Sequence, residues 1–250
     1  MRYSGVLFDL FGTLVAPFRK REHMIAIRQC TEELGIGFAE CHQYWGETFA
    51  RRMRGEFASV ADNFDWVVRQ TGRRASNRAL AKAAEIYEQF TIEGLEPAPH
   101  ALETLGWLRS RGVRIGLVSN CAPDLVRVWS KTAFAEYFDY CAFSCQVRAV
   151  KPEPDIYRTA LDALGLAPSE TLYVGDGSDE ELSGAARCGM HPVLISVDLS
   201  NTYDARRKDV EMWKGPVIRS LSELPALVIA ADDGLPRRRS AESEPYSFPD

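Results

Sequence analysis

The chain has 250 residues, 46% apolar and 26% charged, with a formal net charge of −5. That length and balance suit a large core, with one main domain carrying an insertion, and they exclude a field that would draw the chain to nucleic acid or to an anionic membrane surface. Cysteines at 30, 41, 121, 141, 145 and 188 form no C-x-x-C pair, no apolar stretch reaches transmembrane length, and the start does not read as a signal peptide, so reduced thiols in a cytoplasmic protein are expected.

In chain order, "GVLFDL" (5–10) is a short apolar run closed by "FGT", which predicts a buried strand and a turn. Residues 20–35, 38–54, 57–71 and 76–93 read as helices. In the first, Met24, Ile27, Cys30 and Leu34 fall near helical spacing, and Gly35, Gly37, Gly55 and Gly72 mark breaks. A helix over 99–111 then leads into a second strand, "VRIGLVSN" (113–120), and a helix over about 123–131. "YCAFSC" reads as a third strand whose two cysteines are core thiols. "PEPDIYRTALDALG" (152–165) is a helix opened by prolines, where missing amide donors do no harm. "TLYVGD" (171–176), "DEELSGAARCG" and "HPVLISV" (191–197) read as strand, helix and strand. "GPVIRSLSELPALVIA" reads as a short strand with a closing helix.

This alternation implies an α/β fold, a doubly wound Rossmann-like parallel sheet with an inserted helical cap. The expected division is a core of 1–16 and 95–230, a cap of 17–94, and a polar tail of 231–250 that buries too little apolar surface to order. The basic groups "RRMR" (51–54), "RR" (73–74) and "RRR" (237–239) read as solvated helix faces and tail.

In such folds ligands sit beyond the carboxyl ends of the strands. The residues there are Asp9 to Thr13, Ser119 with Asn120, Lys151, and Asp176 to Glu181. Taken singly, each is an ordinary turn, cap or helix-start residue. Together they hold a carboxylate on a turn with small Gly12 behind it, backbone amides around 10–13 free for anionic oxygens, a hydroxyl, a lysine and further acids. Magnesium takes one or two carboxylates plus water and substrate phosphate. The set therefore suits phosphoryl transfer to a carboxylate nucleophile.

The stretches "FDLFGTLV", "VSN", "KPEPDIY" and "VGDGSDEELSGAARCGM" resemble, in order, the four motifs of the haloacid dehalogenase-like hydrolase superfamily, over residues 5–230. The resemblance implies Asp9 as nucleophile, Lys151 as its bridge to substrate, and Thr13, Ser119 and Asn120 as loop support and phosphate binders. It also implies a Mg2+ site from Asp9, the Phe11 backbone carbonyl, Asp176 and one of Glu180 and Glu181. A small-molecule substrate and a monomer or homodimer are expected, with no nucleic-acid or membrane partner.

One position departs from the pattern. Phosphatases of the superfamily carry a second aspartate two places after the first, as general acid and base. Here it is Phe11, which has no titratable group. An aromatic there is closer to the 2-haloacid dehalogenases, which use no metal, whereas the acidic fourth motif is of phosphatase type. A cation would relieve repulsion among those acids. The expectation is a Mg-dependent phosphohydrolase whose leaving group needs little protonation, such as an acyl phosphate. The alternatives are a metal-free dehalogenase-like hydrolase and a catalytically weak binding or regulatory protein. His23, Glu180 or Glu181 could substitute for the missing acid, although a histidine in an early cap helix reads first as a surface residue.

Overall fold

Among the described residues, six short strands form one sheet: Gly5–Phe8 (β1), Arg114–Ser119 (β2), Tyr140–Phe143 (β3), Thr171–Gly175 (β4), His191–Ile195 (β5) and Val217–Ile218 (β6). All pair in parallel, in the order β3-β2-β1-β4-β5-β6. The computed structural model describes residues 3–230; the tail expected to be disordered lies outside them. Every β1 residue is buried, as a central strand covered on both faces must be. Val6, Phe8, Leu117 and Val174 face one way, onto Ala101–Ser110 (α6), Pro123–Trp129 (α7) and Leu224–Ala230 (α12). Leu7, Val118 and Tyr173 face the other, onto Pro154–Leu164 (α9) and Glu181–Arg187 (α10). The chain leaves β1 for β2 on one side and reaches β4 on the other. The carboxyl end of β1 is thus the point where strand order reverses, the crevice such sheets use for ligands.

Between β1 and α6 run five helices: Lys20–Leu34 (α1), Phe38–Glu47 (α2), Phe49–Met53 (α3), Val60–Gln70 (α4) and Asn77–Glu93 (α5). They bury a cluster of their own, in which Ile27, Cys30 and Leu34 meet Phe64, Val67, Val68, Ala83 and Tyr87. Ser59 and Ser76 cap α4 and α5 by accepting the amides of Asp62 and Ala79, contacts worth about 1 kcal/mol each. Gly35 ends α1 in the left-handed region, at φ 66°. α5 packs on α1 and α4 and also on α7, so it ties this layer to the sheet.

Four local expectations change. The helix expected over 38–54 breaks at Thr48, whose hydroxyl donates to the Trp45 carbonyl at 2.9 Å and diverts the helical ladder. β3 stops at Phe143 because Ser144 turns to bind the main chain of Cys121 and opens a short helix, Ser144–Val147 (α8). The helix expected from 179 begins at Glu181, after Asp179 and Glu180 at positive φ. A helix absent from the sequence reading, Lys208–Met212 (α11), follows β5. All six cysteines are free, with Cys145 buried and Cys141 half-buried. No helix among the described residues is long and apolar enough to cross a membrane.

Candidate active site

Asp9 directly follows β1. Its amide donates to the Val174 carbonyl of β4 at 2.9 Å, so the sheet ladder carries the side chain to the strand ends. The next residues close a tight turn in which Gly12 N donates to Val15 O and Thr13 N to Leu10 O. Those two amides are therefore occupied, which corrects the expectation of free amides throughout 10–13 and leaves those of Leu10 and Phe11. Gly12 is at φ 84°, and a Cβ there would lie 1.7 Å from Asp176 Oδ2. Only glycine lets the two acidic loops meet.

Lys151 reaches Asp9 from the turn between α8 and α9. Its amide donates to Asn120 Oδ1 at 2.8 Å, and Asn120 Nδ2 donates back to the Lys151 carbonyl at 3.3 Å. Asn120 Nδ2 also donates to Asp179 Oδ2 at 2.7 Å. The lysine Nζ lies 2.5 Å from Asp9 Oδ1 and 2.6 Å from Glu181 Oε2, with all three side chains buried. Thr13 Oγ1 donates to the other Asp9 oxygen at 3.2 Å. Ser119 is buried at the end of β2, the strand that pairs with β1.

The fourth motif places its acids unequally. Gly177, Asp179 and Glu180 all take positive φ, and this turn sends successive side chains to opposite sides. Glu181 points inward, where Tyr173 Oη and Gly177 N donate to its two oxygens at 2.8 and 2.9 Å. Glu180 points outward and pairs with Lys208 at 2.7 Å, largely in solvent. Of the two glutamates expected to serve a metal, Glu180 is thus not in the cluster. Asp9, Asp176 and Glu181 are, with ligand atoms within 4.8 Å of one another.

A residue the sequence reading passed over completes the cluster. Arg207, buried at the start of α11, lies with Nη1 2.5 Å from Asp176 Oδ2. The same nitrogen donates to the Asp176 carbonyl oxygen at 3.2 Å, so one guanidinium serves both the carboxylate and the main chain of Asp176. Asp204 holds the far side of the guanidinium at 2.9 and 3.1 Å. Arg207 lies at the far end of the loop from β5 to α11, well past the strand end, where no sequence rule flags it.

Charge and burial shape the protonation. Burial, then the Asp9 charge, raise the Asp176 carboxyl to about 6, with Arg207 opposing. Burial and Asp9 likewise push Glu181 up, against Lys151. Burial alone would lower Lys151, but the Asp9 and Glu181 carboxylates outweigh it and keep the ammonium protonated.

Above Asp9 and Lys151 opens a cavity of about 590 Å³ between the sheet and helices α1, α2, α3 and α5. Phe11 belongs to its wall, with its ring 5.8 Å from that of Phe18, which meets Phe90 at 5.5 Å. His23 also lines it. It is buried rather than on the surface, its Nδ1 lies 2.7 Å from the Tyr203 hydroxyl, and burial lowers its pKa to about 3. A neutral imidazole accepts a proton more readily than it supplies one. The three arginines of "RRMR" separate. Arg51 pairs with Glu56 outside, Arg54 pairs with Glu153 across to the core, and Arg52 is buried on the cavity wall.

A family model described as haloacid dehalogenase-like hydrolase matches residues 3–189. The glyceraldehyde 3-phosphate phosphatase of Methanopyrus kandleri is 32% identical over 214 residues, 82% of this chain and 89% of its own. A HAD phosphatase from Thermococcus onnurineus superposes with a TM-score of 0.60 at 27% identity, over 90% of this chain and 97% of its own. The L-2-haloacid dehalogenase of Xanthobacter autotrophicus gives 0.60 at 21% identity, over 91% and 98%, a likeness of fold alone. The match across three quarters of the sequence, on a chain whose buried acids meet a lysine at the reversal point of a parallel sheet, makes this protein a member of the haloacid dehalogenase-like hydrolase family.

Proposed function

We propose that the chain is a phosphohydrolase acting on a small phosphorylated metabolite, with Asp9 as nucleophile. The observation that carries this is the buried pairing of Asp9 with Lys151 on the floor of a cavity large enough for an organic ligand. Lys151 and Thr13 orient the carboxylate, and the ammonium offsets the repulsion between Asp9 and an incoming phosphate. The Asp9 carboxylate attacks phosphorus, and the bond to the leaving oxygen breaks. Water then displaces the carboxylate from phosphorus. Asn120 holds Lys151 in register through their two-way contact, and Ser119 serves the phosphoryl oxygens. Relatives named as phosphatases of glyceraldehyde 3-phosphate and of phosphoglycolate support the reading.

The donor set suits magnesium. It consists of hard carboxylate oxygens within 4.8 Å of one another, gathered in a buried cluster. Asp9, Asp176 and the Phe11 carbonyl would hold the ion, which when bound would neutralise charge on the phosphoryl group. Glu181 accepts from Lys151, Tyr173 and Gly177 and acts by holding Lys151.

A metal-free hydrolase of dehalogenase type is the second reading, favoured by Arg207 beside Asp176 and by the aromatic Phe11. Phosphate release from a panel of esters and acyl phosphates, with magnesium or EDTA, separates the two. Release abolished by EDTA and by Asp9→Asn supports the first. Metal-independent halide release from 2-chloropropionate overturns it, and ligand binding without turnover of either class points to a regulatory protein.

A further inference from the structure

The cavity above Asp9 has a chemistry of its own. Phe11, Phe18, Trp45, Phe49, Tyr87 and Phe90 line it, and it is far roomier than a two- or three-carbon phosphate requires. Two buried charged side chains interrupt these aromatic walls. Asp124, at the start of α7, is 7% exposed. Its Oδ2 accepts the Thr91 hydroxyl at 2.6 Å, but its Oδ1 is buried with no hydrogen-bond partner. An unpaired carboxylate oxygen in such a place costs free energy until a donor arrives. Arg52 is 5% exposed and lies over the Trp45 ring at 4.1 Å. Its Nη1 contacts only neutral oxygens, those of Trp45, Thr48 and Asn63. No carboxylate lies within ion-pair distance of it among the described residues, the Asp124 charge reaching it only from further off, and its remaining N–H groups are unspent.

We propose that the ligand is an aryl phosphate that also carries a hydrogen-bond donor for Asp124 and an anionic or carbonyl acceptor for Arg52. The inference rests on the phosphohydrolase reading and narrows its substrate class. Phe11, on the wall of the same cavity, supports it independently. With no acid at that position, the leaving oxygen must depart as an anion. A phenol ionises near pH ~10, whereas alkanols, like water, ionise only near ~16. In the first step Asp9 bonds to phosphorus while the aryl C–O–P bond breaks on the phosphorus side, and the phenolate leaves with the electron pair. Water then bonds to phosphorus and returns Asp9 as carboxylate. One water proton ends on the phenolate and the other on inorganic phosphate, so an aryl phosphate dianion and water give a phenol and hydrogen phosphate.

The test uses Asp9→Asn protein, so that binding is measured without turnover. Calorimetric titration with free phosphotyrosine, phenyl phosphate and 2-phosphoglycolate is expected to rank them in that order, each step about tenfold in Kd. Asp124→Asn and, separately, Arg52→Gln in the same background should collapse the preference for phosphotyrosine over phenyl phosphate. If 2-phosphoglycolate binds as well as phenyl phosphate, the aromatic assignment is wrong. If phosphotyrosine and phenyl phosphate bind equally to the Asp9→Asn protein, the polar pair is not a subsite, and that comparison needs no further variant. Failure of the phosphohydrolase reading looks different: the wild-type chain would release phosphate from none of the three while the binding order persists.

Discussion

Arg207 and Asp176 form a buried ion pair, at 2.5 Å, in which the same guanidinium nitrogen also donates to the Asp176 main-chain oxygen. The carboxylate therefore loses much of its net charge. Arg207 is a fixed positive charge beside the oxygens best suited to a divalent cation, and like charges that close repel strongly when shielded from water. Arg207→Met should raise the affinity of the protein for Mg2+ by about tenfold or more, measured by calorimetry on metal-stripped protein. An unchanged affinity would mean that Arg207 does not oppose the metal.

Phe11→Asp places a carboxyl where the wall now offers only a ring. Restored proton transfer should raise kcat on alkyl phosphates by about 10²-fold, within the range general acids supply. Loss of the edge contact with Phe18 should cost about 1 kcal/mol of stability. Steady-state kinetics on an alkyl ester, with denaturation of the same sample, would read both effects. A gain in rate on phenyl phosphate as large as on the alkyl ester would argue against a missing acid.

The two glutamates should behave oppositely. Glu181→Gln removes one of the two charges that hold Lys151 and disturbs the contacts with Tyr173 and Gly177. Breaking a buried pair in this way typically costs about 3–5 kcal/mol, and the conservative amide should land near the lower end. Activity should fall through kcat, since the lysine loses its position. Glu180→Gln removes only a surface contact with Lys208 and should leave the urea midpoint and kcat unchanged. Equal losses from the two variants would contradict the inward and outward assignment.

His23 sets a stability dependence on pH. Burial, and then the nearby charges of Arg52 and His42, lower its pKa from 6.5 to about 3. Between those values the unfolded chain holds the proton and the folded chain does not, so stability falls as pH drops through that window. The loss attributable to His23 should reach about 2 kcal/mol at pH 5 relative to pH 7. His23→Phe should flatten the curve by that amount, read as the difference between two urea-denaturation series. The Asp176 carboxyl, raised to about 6, acts in the opposite sense, with stability falling as pH rises from 3.8 towards 6. It is common to both proteins and cancels. Parallel curves would show that His23 is protonated when folded.

Strand ends were the legible part of the site. Asp9, Lys151, Asp176 and Glu181 each stand beside an apolar run or a proline-opened helix, and those patterns survive without knowledge of the tertiary fold. The direction of a side chain at a kink did not survive. Glu180 and Glu181 are neighbours in an acidic run, and only the left-handed φ angles of 177, 179 and 180 separate them. Arg207 belongs to a segment with no hydrophobic period, and its partner lies 31 residues earlier in the chain. The cavity was hidden for another reason. Tyr87 and Phe90 have the spacing of a helix face, and spacing does not tell an aromatic stripe that lines a hollow from one that fills it. Arg52 and Arg54 sit in one basic run, yet one is sealed inside and the other bridges to Glu153.

Gly12 carries a consequence for how this loop can change over time. A methyl group at that position would sit 1.7 Å from the Asp176 carboxylate, and every single-nucleotide change in a glycine codon that alters the residue adds at least that methyl group or ends the chain. The turn therefore has no neighbouring sequence of tolerable shape. The walls of the cavity can drift residue by residue towards new ligands, whereas the junction between the two acidic loops can only be kept or lost.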